Sequence, residues 1–260
     1  MPFATYKEIE YFQFGIFDTV VCHAIFTRRG GISPEPWASL NMGSSVGDVK
    51  DRVHENRNRA LAALKRDPAS IFDVWQVHGR DVAFAESPRK PDTPHLQADV
   101  ILTNKPGVTL MMRFADCVPI LLHDPIRNVV GMIHAGWAGT VLGTARNAVE
   151  AMHRHYDSNP VDIKAAIGPS IGPDHYEVGP DVFSQIQHSF GKVTQDLIHD
   201  QNGHTFFDMW KANQMLLEQS GVRQIEVSGL CTACHIEDWY SHRAEKGRTG
   251  RFGALISLGK

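Results

Sequence analysis

Four apolar segments follow one another between residues 98 and 136, and they constrain the fold more than any other feature of this sequence. Their sequences are ADVILT, VTLMMRFADC, VPILLHD and NVVGMIHAG, with only short turns between them. Short apolar runs bounded by turn residues are typical of strands that are buried on both faces. Four of them in succession predict a mixed or antiparallel sheet whose two faces are both covered.

Helices and further strands are predicted on either side of this block. Helical periodicity covers 48–65, with Asp48 as the N-cap, and also covers 139–156, 180–190 and 208–220. Six further strands are predicted in the segments VVCHAIFTR, IFDVWQVHG, VAFAE, IKAAIG, IEVSG and RFGALISL. Because no repeat, low-complexity tract or linker interrupts the chain, we expect one α/β domain over residues 1–260.

Composition narrows the class of protein. A chain of 260 residues with 42% hydrophobic and 21% charged residues can bury a core without disulfides or metal. The net charge of −3 argues against a nucleic acid or an anionic membrane as partner. Charged residues interrupt the N-terminal segment, and no apolar stretch approaches the ~20 residues of a membrane-spanning helix. We therefore predict a cytoplasmic protein, in which four scattered cysteines do not form a disulfide framework.

Three residues at predicted strand ends are candidates for chemistry: His78, Cys117 and His134. Each lies next to Gly or Pro, or in a turn that contains one. A Cys and two His are a sufficient ligand set for Zn²⁺ and leave a fourth position open, which is typical of catalytic rather than structural zinc. Two alternatives remain: Cys117 as a nucleophile with His134 as its base, or hydrogen-bonded turn histidines beside a small buried thiol.

The segment CTACH, residues 231–235, is a second candidate site. Its pattern is that of c-type haem attachment, but covalent attachment takes place after export and no export signal is evident. A zinc site would need a second pair of ligands, and His242 is the only nearby candidate in the sequence. The remaining interpretation is a turn with partly buried thiols.

Basic residues offer candidate anion sites. Arg28 ends a predicted strand before a Gly pair, and Asn41 lies in the turn that follows. We predict Arg28 as a phosphate ligand, because a guanidinium group matches two oxygens at once, and Asn41 as its neighbour in the substrate site. Asn41 in a turn can equally bond its own backbone. Arg243, Arg248 and Arg251 are expected to be mostly a solvated charged face.

Seven strings taken in order carry a family resemblance from about Arg28 to Arg251. They are GGIS…WASLNMGSSVGD, VWQVHG, ADVILT, FADCVPILLHD, HAGWAGT, AAIGPSIGPDHYEVGPDV and CT…DWYSHRAEKGRTGR. The chain resembles the family called YfiH-like, laccase-domain or multicopper polyphenol oxidoreductase proteins. The resemblance implies a four-layer α/β/β/α single domain with mixed β-sheets. It also implies a zinc site formed by His78, Cys117 and His134.

The activities attributed to this family differ. The name laccase implies Cu²⁺-dependent phenol oxidation, yet one site with three ligands cannot supply the separate copper centres of a laccase, and His153 and His155 are predicted at a helix surface. Members are also described as cleaving adenosine, inosine and methylthioadenosine with phosphate and as deaminating adenosine. A further description makes them editing factors in peptidoglycan synthesis.

We therefore predict a zinc-dependent purine nucleoside phosphorylase with adenosine deaminase activity. Cys117 is assigned to the catalytic centre and Arg28 to phosphate, with Asp116 as proton shuttle or as partner of a ligating His. A copper oxidase, a Cys–His hydrolase acting on peptidoglycan precursors and a non-enzymatic accessory protein remain alternatives. The expected partners are a nucleoside and phosphate, with no obligate protein partner.

Overall fold

Two six-stranded sheets packed face to face form the centre of the molecule, which we describe from a computed structural model covering residues 2–17 and 19–259. The strands in chain order are β1 Phe3–Tyr6, β2 Ile9–Phe12, β3 Val21–Phe26, β4 Ile71–Asp73, β5 Val82–Phe84, β6 Val100–Thr103, β7 Thr109–Phe114, β8 Val118–Asp124, β9 Val129–Ala135, β10 Lys164–Ile167, β11 Ile198–Gln201, β12 His204–Phe207, β13 Gln224–Val227 and β14 Phe252–Leu258. The helices are α1 Lys50–Ala63, α2 Trp137–Val141, α3 Thr144–Tyr156, α4 Pro180–Phe190 and α5 Met209–Gln219. Short 3₁₀ helices cover Pro68–Ser70, Pro160–Asp162 and Gly191–Asp196.

Both sheets are mixed. The first has the order β1-β2-β3-β14-β7-β4 and the second β13-β10-β8-β9-β6-β5, while β11 and β12 form a separate hairpin. β4 pairs parallel with β7 in the first sheet, and β13 with β10 and β5 with β6 pair parallel in the second. The predicted mixed sheets are therefore confirmed.

The strand period of two explains how the layers form. Along β14, Phe252, Ala254 and Ile256 enter the core between the sheets, whereas Leu255 enters the core beneath α1. Along β8, Leu121 faces the other sheet, while Ile120 and Leu122 face the helices α2 to α5. One helical layer therefore covers each outer face, and the expected four-layer α/β/β/α arrangement is confirmed.

Several predicted boundaries are corrected by local contacts. The strand predicted over 71–79 ends at Asp73, and beyond it Trp75 makes only an isolated bridge with Gln97. The helix predicted from Asp48 begins at Lys50 with Val49 at its N-cap, because the Asp48 carboxylate accepts hydrogen bonds from Ser33 and Asn41. The helices predicted over 180–190 and 208–220 are observed as α4 and α5.

The long helix predicted over 139–156 is two helices. Gly143 stands between α2 and α3 with φ of 73°, a left-handed conformation that is accessible to glycine and that ends the first helix. The hairpins β1–β2 and β11–β12 were not predicted, because their strands carry many polar and exposed residues and lack a clear apolar pattern. Among the described residues, no helix is both long and apolar enough to cross a membrane.

Candidate metal and substrate site

The ends of β8 and β9 bring Cys117 and His134 together. The two strands pair antiparallel, with Val118 opposite Ala135 and Pro119 opposite His134. Cys117 immediately precedes Val118, the first paired residue of β8. Both side chains lie on the inter-sheet side of their strands, because Leu121, four positions after Cys117, and Met132, two positions before His134, belong to the core between the sheets. The ring of His134 also contacts the ring of Phe114 across this interface.

His78 approaches the same point from the loop that follows β4. Its backbone has φ of 60°, in the left-handed region that non-glycine residues rarely adopt. The histidine nitrogens and the Cys117 sulfur lie within 4.8 Å of one another. The structure thus brings together the three residues predicted as zinc ligands. His134 is buried, Cys117 is half-buried and His78 is exposed, so the cluster opens on one side.

Asp99 organises this cluster, and sequence reasoning did not assign it a role. Its Oδ1 lies 2.7 Å from Nδ1 of His134, and its carboxylate accepts backbone N–H bonds from Val77, His78 and Gly79 at 3.2, 3.1 and 2.6 Å. One buried carboxylate therefore orients the His134 ring, leaving Nε2 for the cluster, and holds the loop that carries His78. The only sequence signal is an acidic residue at the start of the apolar segment ADVILT.

The electrostatics favour a thiolate at Cys117. Burial raises the pKa of the Cys117 thiol, but the adjacent His134 and His78 rings outweigh it and the pKa is lowered overall. The pKa of His134 is raised, because the Cys117 sulfur and the Asp99 carboxylate outweigh the opposing effect of burial. A thiolate and two imidazoles are ligands that suit Zn²⁺.

Gly136 makes room for this ligand set. A Cβ atom at Gly136 would lie 3.0 Å from the Cys117 sulfur and 3.0 Å from Cδ2 of His78. The glycine of the HAGW motif therefore lets the chain turn from β9 into α2 directly over the cluster. The donor atoms and the space around them fit a single metal ion.

A cavity of about 510 Å³ extends from the cluster to a strongly basic wall. Its lining includes the three cluster residues, the aromatic side chains of Trp75, Trp137 and Tyr176, and the loop 43–45. Six basic side chains also line it: Arg57, Arg113, Arg243, Arg251, His95 and His242. Among the residues that the structure describes, Asp116 is the only one that contributes a carboxylate to the lining.

Three arginines of this region surround a single carboxylate. Arg113 and Arg89 each donate to Asp73 at 2.8 Å, and Arg57 lies 3.8 Å from the same group. These cations outweigh the effect of burial and lower the pKa of Asp73 to about 2. Burial and the neighbouring Arg113 lower the pKa of Arg57 to about 10, which still leaves it charged at neutral pH. The cavity wall, to which Arg57 and Arg113 belong, thus carries positive charge that the lining carboxylate Asp116 does not balance.

Asp116 is adjacent to Cys117 but does not contact a ligating histidine. It has φ of 78°. Its Oδ1 accepts from the Thr232 hydroxyl at 2.7 Å and its Oδ2 from the Arg243 backbone N–H at 2.6 Å. The partner of the ligating His134 is Asp99, so that part of the prediction for Asp116 is corrected. Its predicted role as proton shuttle stays a prediction.

Arg28 and Asn41 do not line the cavity. The Arg28 guanidinium donates to the carbonyl oxygens of Ala38 and Ile236, pairs with Glu245 at 3.1 Å and lies over the ring of Tyr240. These contacts join loops outside the cavity lining, so the structure does not place Arg28 in the candidate substrate site.

Asn41 is fully buried. Its Oδ1 accepts from the backbone N–H groups of Gly43 and Arg251, and its amide donates to Asp48. Asn41 therefore shapes the 43–45 wall of the cavity without reaching into it. Unlike Arg28 and Asn41, Arg243 and Arg251, which were expected on a solvated face, do line the cavity.

The fold and the cluster together define a class of protein: a four-layer α/β/β/α domain with a Cys–His₂ centre at the strand ends that lead into a basic cavity. The chain belongs to the family described as multi-copper polyphenol oxidoreductase laccase, whose sequence profile matches residues 22–259. The resemblance found in the sequence is thereby confirmed.

Relatives and solved structures agree with this assignment. The chain is 39% identical over 238 residues to the purine nucleoside phosphorylase of Deinococcus radiodurans, which covers 92% of this chain and 89% of the relative. It is 35% identical over 235 residues to the purine nucleoside phosphorylase YfiH of Escherichia coli, covering 89% and 91% of the two chains. The crystal structure of YlmD from Geobacillus stearothermophilus superposes with a TM-score of 0.92 at 31% identity, covering 100% of this chain and 99% of the other.

Proposed function

We propose that this protein is a zinc-dependent purine nucleoside phosphorylase that also deaminates adenosine. One observation carries the proposal: a Cys–His₂ cluster and an uncompensated basic wall share a single cavity of about 510 Å³. That volume is in the range of small-molecule sites. The names of the relatives from Deinococcus radiodurans and Escherichia coli support the same reaction class.

The basic wall supplies the phosphate subsite. In phosphorolysis an oxygen of inorganic phosphate attacks C1 of the ribose, the bond from C1 to the purine nitrogen breaks, and the base leaves with the bonding electron pair and is then protonated. The products are ribose 1-phosphate and free base. Arg57, Arg113 and Arg251 bind and orient the phosphate in this proposal, because guanidinium groups match phosphate oxygens in pairs. Substitution of Asn41 would disturb this wall indirectly, through the Gly43 and Arg251 backbones.

The aromatic side chains provide surfaces for the purine. Trp75 is 52% exposed, although a large apolar side chain is usually covered. Together with Trp137 and Tyr176, it gives the cavity flat apolar surfaces. Stacking of an aromatic base on such a surface contributes about 0.5–1.5 kcal/mol to binding, in addition to the free energy of burying its apolar area.

His78, Cys117 and His134 are the residues that would hold the zinc ion. When bound, zinc would supply Lewis-acid chemistry at this end of the cavity. Asp99 keeps His134 in the tautomer that presents Nε2 to the metal. Deamination at the same centre replaces the amino group at C6 of adenine by an oxygen from water and releases ammonia.

Chromatography of adenosine and inosine with zinc-loaded protein tests the proposal. We expect free base only when phosphate is present, and none from Cys117→Ser. Inosine formed from adenosine without phosphate would support the deaminase activity. Absence of both conversions in the zinc-loaded protein would refute the proposed function.

Two arginine variants test the location of the phosphate subsite. Arg251→Ala is expected to raise the KM for phosphate tenfold or more, whereas Arg28→Ala leaves that KM unchanged, because Arg28 lies outside the cavity. A raised KM for phosphate in Arg28→Ala, together with an unchanged KM in Arg251→Ala, would instead identify Arg28 as the phosphate ligand.

A Cys–His hydrolase is the second candidate, favoured by the line of contacts from Asp99 through His134 to Cys117. This arrangement resembles a nucleophile, base and orienting acid. The hydrolase predicts full activity in the presence of a chelator and covalent trapping of Cys117. The phosphorylase predicts loss of activity in chelator and its recovery with Zn²⁺. Metal analysis after purification with Zn²⁺ and Cu²⁺ both available also tests the copper oxidase alternative.

A further inference from the structure

We propose that Asp174, His175, Cys231 and Cys234 form a second metal site that takes a thiophilic divalent cation such as Zn²⁺. These residues supply two thiols, one imidazole and one carboxylate, and one donor atom from each lies within 4.8 Å of the others. The cluster shares no residue with the His78–Cys117–His134 centre. Of the described residues, only these two groups bring together three or more possible ligands.

The donor set comes from two loops that are far apart in sequence. Cys231 and Cys234 lie in CTACH, and the pair of ligands that this motif lacked in the sequence comes from the DHY segment at 174–176. The Cys234 sulfur lies 3.6 Å from Nδ1 of His175. That separation matches the edge of a tetrahedron with metal–sulfur and metal–nitrogen bonds of about 2.3 and 2.05 Å, which is about 3.6 Å. When a metal ion binds, the direct 2.9 Å contact between His175 and Asp174 would be replaced by coordination of both residues to that ion.

Backbone contacts hold the two loops in this arrangement before any ligand binds. Ser170 and Cys231 form a parallel bridge, and the Thr232 N–H donates to the Ser170 carbonyl at 3.0 Å. The Gly172 N–H donates to the buried Cys231 sulfur at 3.1 Å. A Cβ at Gly172 would lie 3.1 Å from that sulfur and 2.8 Å from the Asp174 carboxylate, so the absence of a side chain here favours the close approach of the two loops. N–H groups aimed at a sulfur are typical of the surroundings of metal thiolates.

The donor types also favour a thiophilic cation. Two thiols, one imidazole and one carboxylate match the ligands that Zn²⁺ takes in proteins. When the two cysteines bind a divalent cation they release their thiol protons, and the ion balances the negative charge of the thiolates and of the Asp174 carboxylate.

The site joins the two loops that flank the catalytic cavity. His175 precedes Tyr176, whose ring lines the cavity and lies under the Arg243 guanidinium. Cys231 precedes Thr232, whose hydroxyl donates to Asp116 beside Cys117. A metal ion here would therefore hold cavity residues in position rather than take part in the reaction. That positioning role rests on the proposed function, but the existence of the metal site does not.

Cobalt titration of the Cys117→Ser protein, purified in reductant, tests the proposal directly. Thiolate-to-cobalt charge-transfer absorption reports sulfur ligation, and Cys117→Ser removes the catalytic thiol as its source. We expect this absorption to saturate at one equivalent of Co²⁺ and Zn²⁺ to displace the cobalt. Adding Cys234→Ser should abolish the absorption. Adding His175→Ala should weaken binding tenfold or more. Both residues are exposed, so these variants are expected to fold.

Cys22→Ser in the same Cys117→Ser background is the matched control. Cys22 lies on β3, outside both clusters, and should leave the absorption unchanged. The proposal is overturned if Cys117→Ser shows no such absorption, if the absorption persists after Cys234→Ser, or if the reductant-purified protein carries a Cys231–Cys234 disulfide. Failure of nucleoside cleavage in the otherwise unaltered protein would refute the proposed function and leave the cobalt result standing.

Discussion

At the scale of single residues, Asp99 organises the His78–Cys117–His134 cluster without belonging to it. It bonds His134 and three successive backbone N–H groups of the His78 loop. Asp99→Asn removes the charge and places an N–H₂ group against one of these donors. We expect zinc affinity, measured by chelator competition, to fall about 10–100-fold. Asp124→Asn is the control, a buried carboxylate at the far end of β8, and it should leave the affinity unchanged; equal losses in both variants would remove the special role of Asp99.

His23 predicts a pH dependence of stability. It is buried, and its Nε2 accepts the Phe14 N–H at 2.9 Å. Burial, with a smaller contribution from the nearby His123, lowers its pKa from 6.5 to about 4. The unfolded chain therefore binds a proton at His23 between pH 6.5 and about 4 while the folded chain does not. The stabilisation is complete above pH 6.5 and is progressively lost as the pH falls towards 4.

Urea unfolding at pH 7 and pH 5 measures this effect. At pH 5, about 1.5 units below the pKa of His23 in the unfolded chain, we expect the free energy of unfolding to be about 2 kcal/mol lower than at pH 7. His23→Gln removes the titrating group and should flatten the pH dependence by about that amount. His155→Gln, at an exposed position on α3, should not. Identical pH dependence in the unaltered protein and in His23→Gln would show that His23 does not titrate as described.

At the scale of elements, the turn from β9 into α2 matters most for the site. Gly136 has φ of −71° and ψ of 178°, which other residues also adopt, so an alanine there costs nothing in backbone strain. Its Cβ would nevertheless meet the Cys117 sulfur and the His78 ring at 3.0 Å. We expect Gly136→Ala to lower zinc affinity and phosphorolysis tenfold or more while the fold is kept.

Gly179→Ala serves as the control for this turn. Gly179 precedes α4 with a similar extended backbone, and a Cβ there would meet nothing within 4 Å. Its zinc content and activity should equal those of the unaltered protein. Full zinc affinity in Gly136→Ala would mean that the cluster can widen around the added methyl group.

At the scale of the whole molecule, strand order predicts the effect of truncation. β14 is the last strand in sequence but lies between β3 and β7 in the middle of the first sheet. Its side chains reach both the inter-sheet core and the core beneath α1. A chain that ends at residue 250 should therefore show no cooperative thermal unfolding by circular dichroism.

Removal of residues 1–8 is the matching truncation at the other end. β1 is an edge strand, largely exposed, whose main core contact is Phe3 against Phe12 and Trp239. This shorter chain should keep one cooperative transition, with a melting temperature lowered by about 2–4 °C per kcal/mol lost. Cooperative unfolding of the chain lacking β14, or its loss in the chain lacking β1, would contradict this account of the core and of a single domain.

The sequence by itself determined the central strands and the three cluster residues. A continuous apolar run bounded by turn residues is a local property, so VPILLHD and NVVGMIHAG identified β8 and β9, which are buried along their whole length. Cys117 precedes the first residue of β8 and His134 lies near the end of β9, so antiparallel pairing of these consecutive strands brings the two residues together. The family strings added the four-layer arrangement and the assignment of the three residues as zinc ligands.

Only the tertiary structure decided which neighbours these residues have. Three features depend on strand register and on the packing of distant loops. Asp99, and not Asp116, is the partner of His134, and several arginines surround Asp73. The third feature is the contact between the loop of Asp174 and His175 and the loop of Cys231 and Cys234. The sequence could not place Arg28 outside the cavity for the same reason, because its partners Ile236 and Glu245 lie more than 200 residues away along the chain. Charge and hydrogen bonding act over a few ångströms in space, and spacing along the chain does not encode those distances.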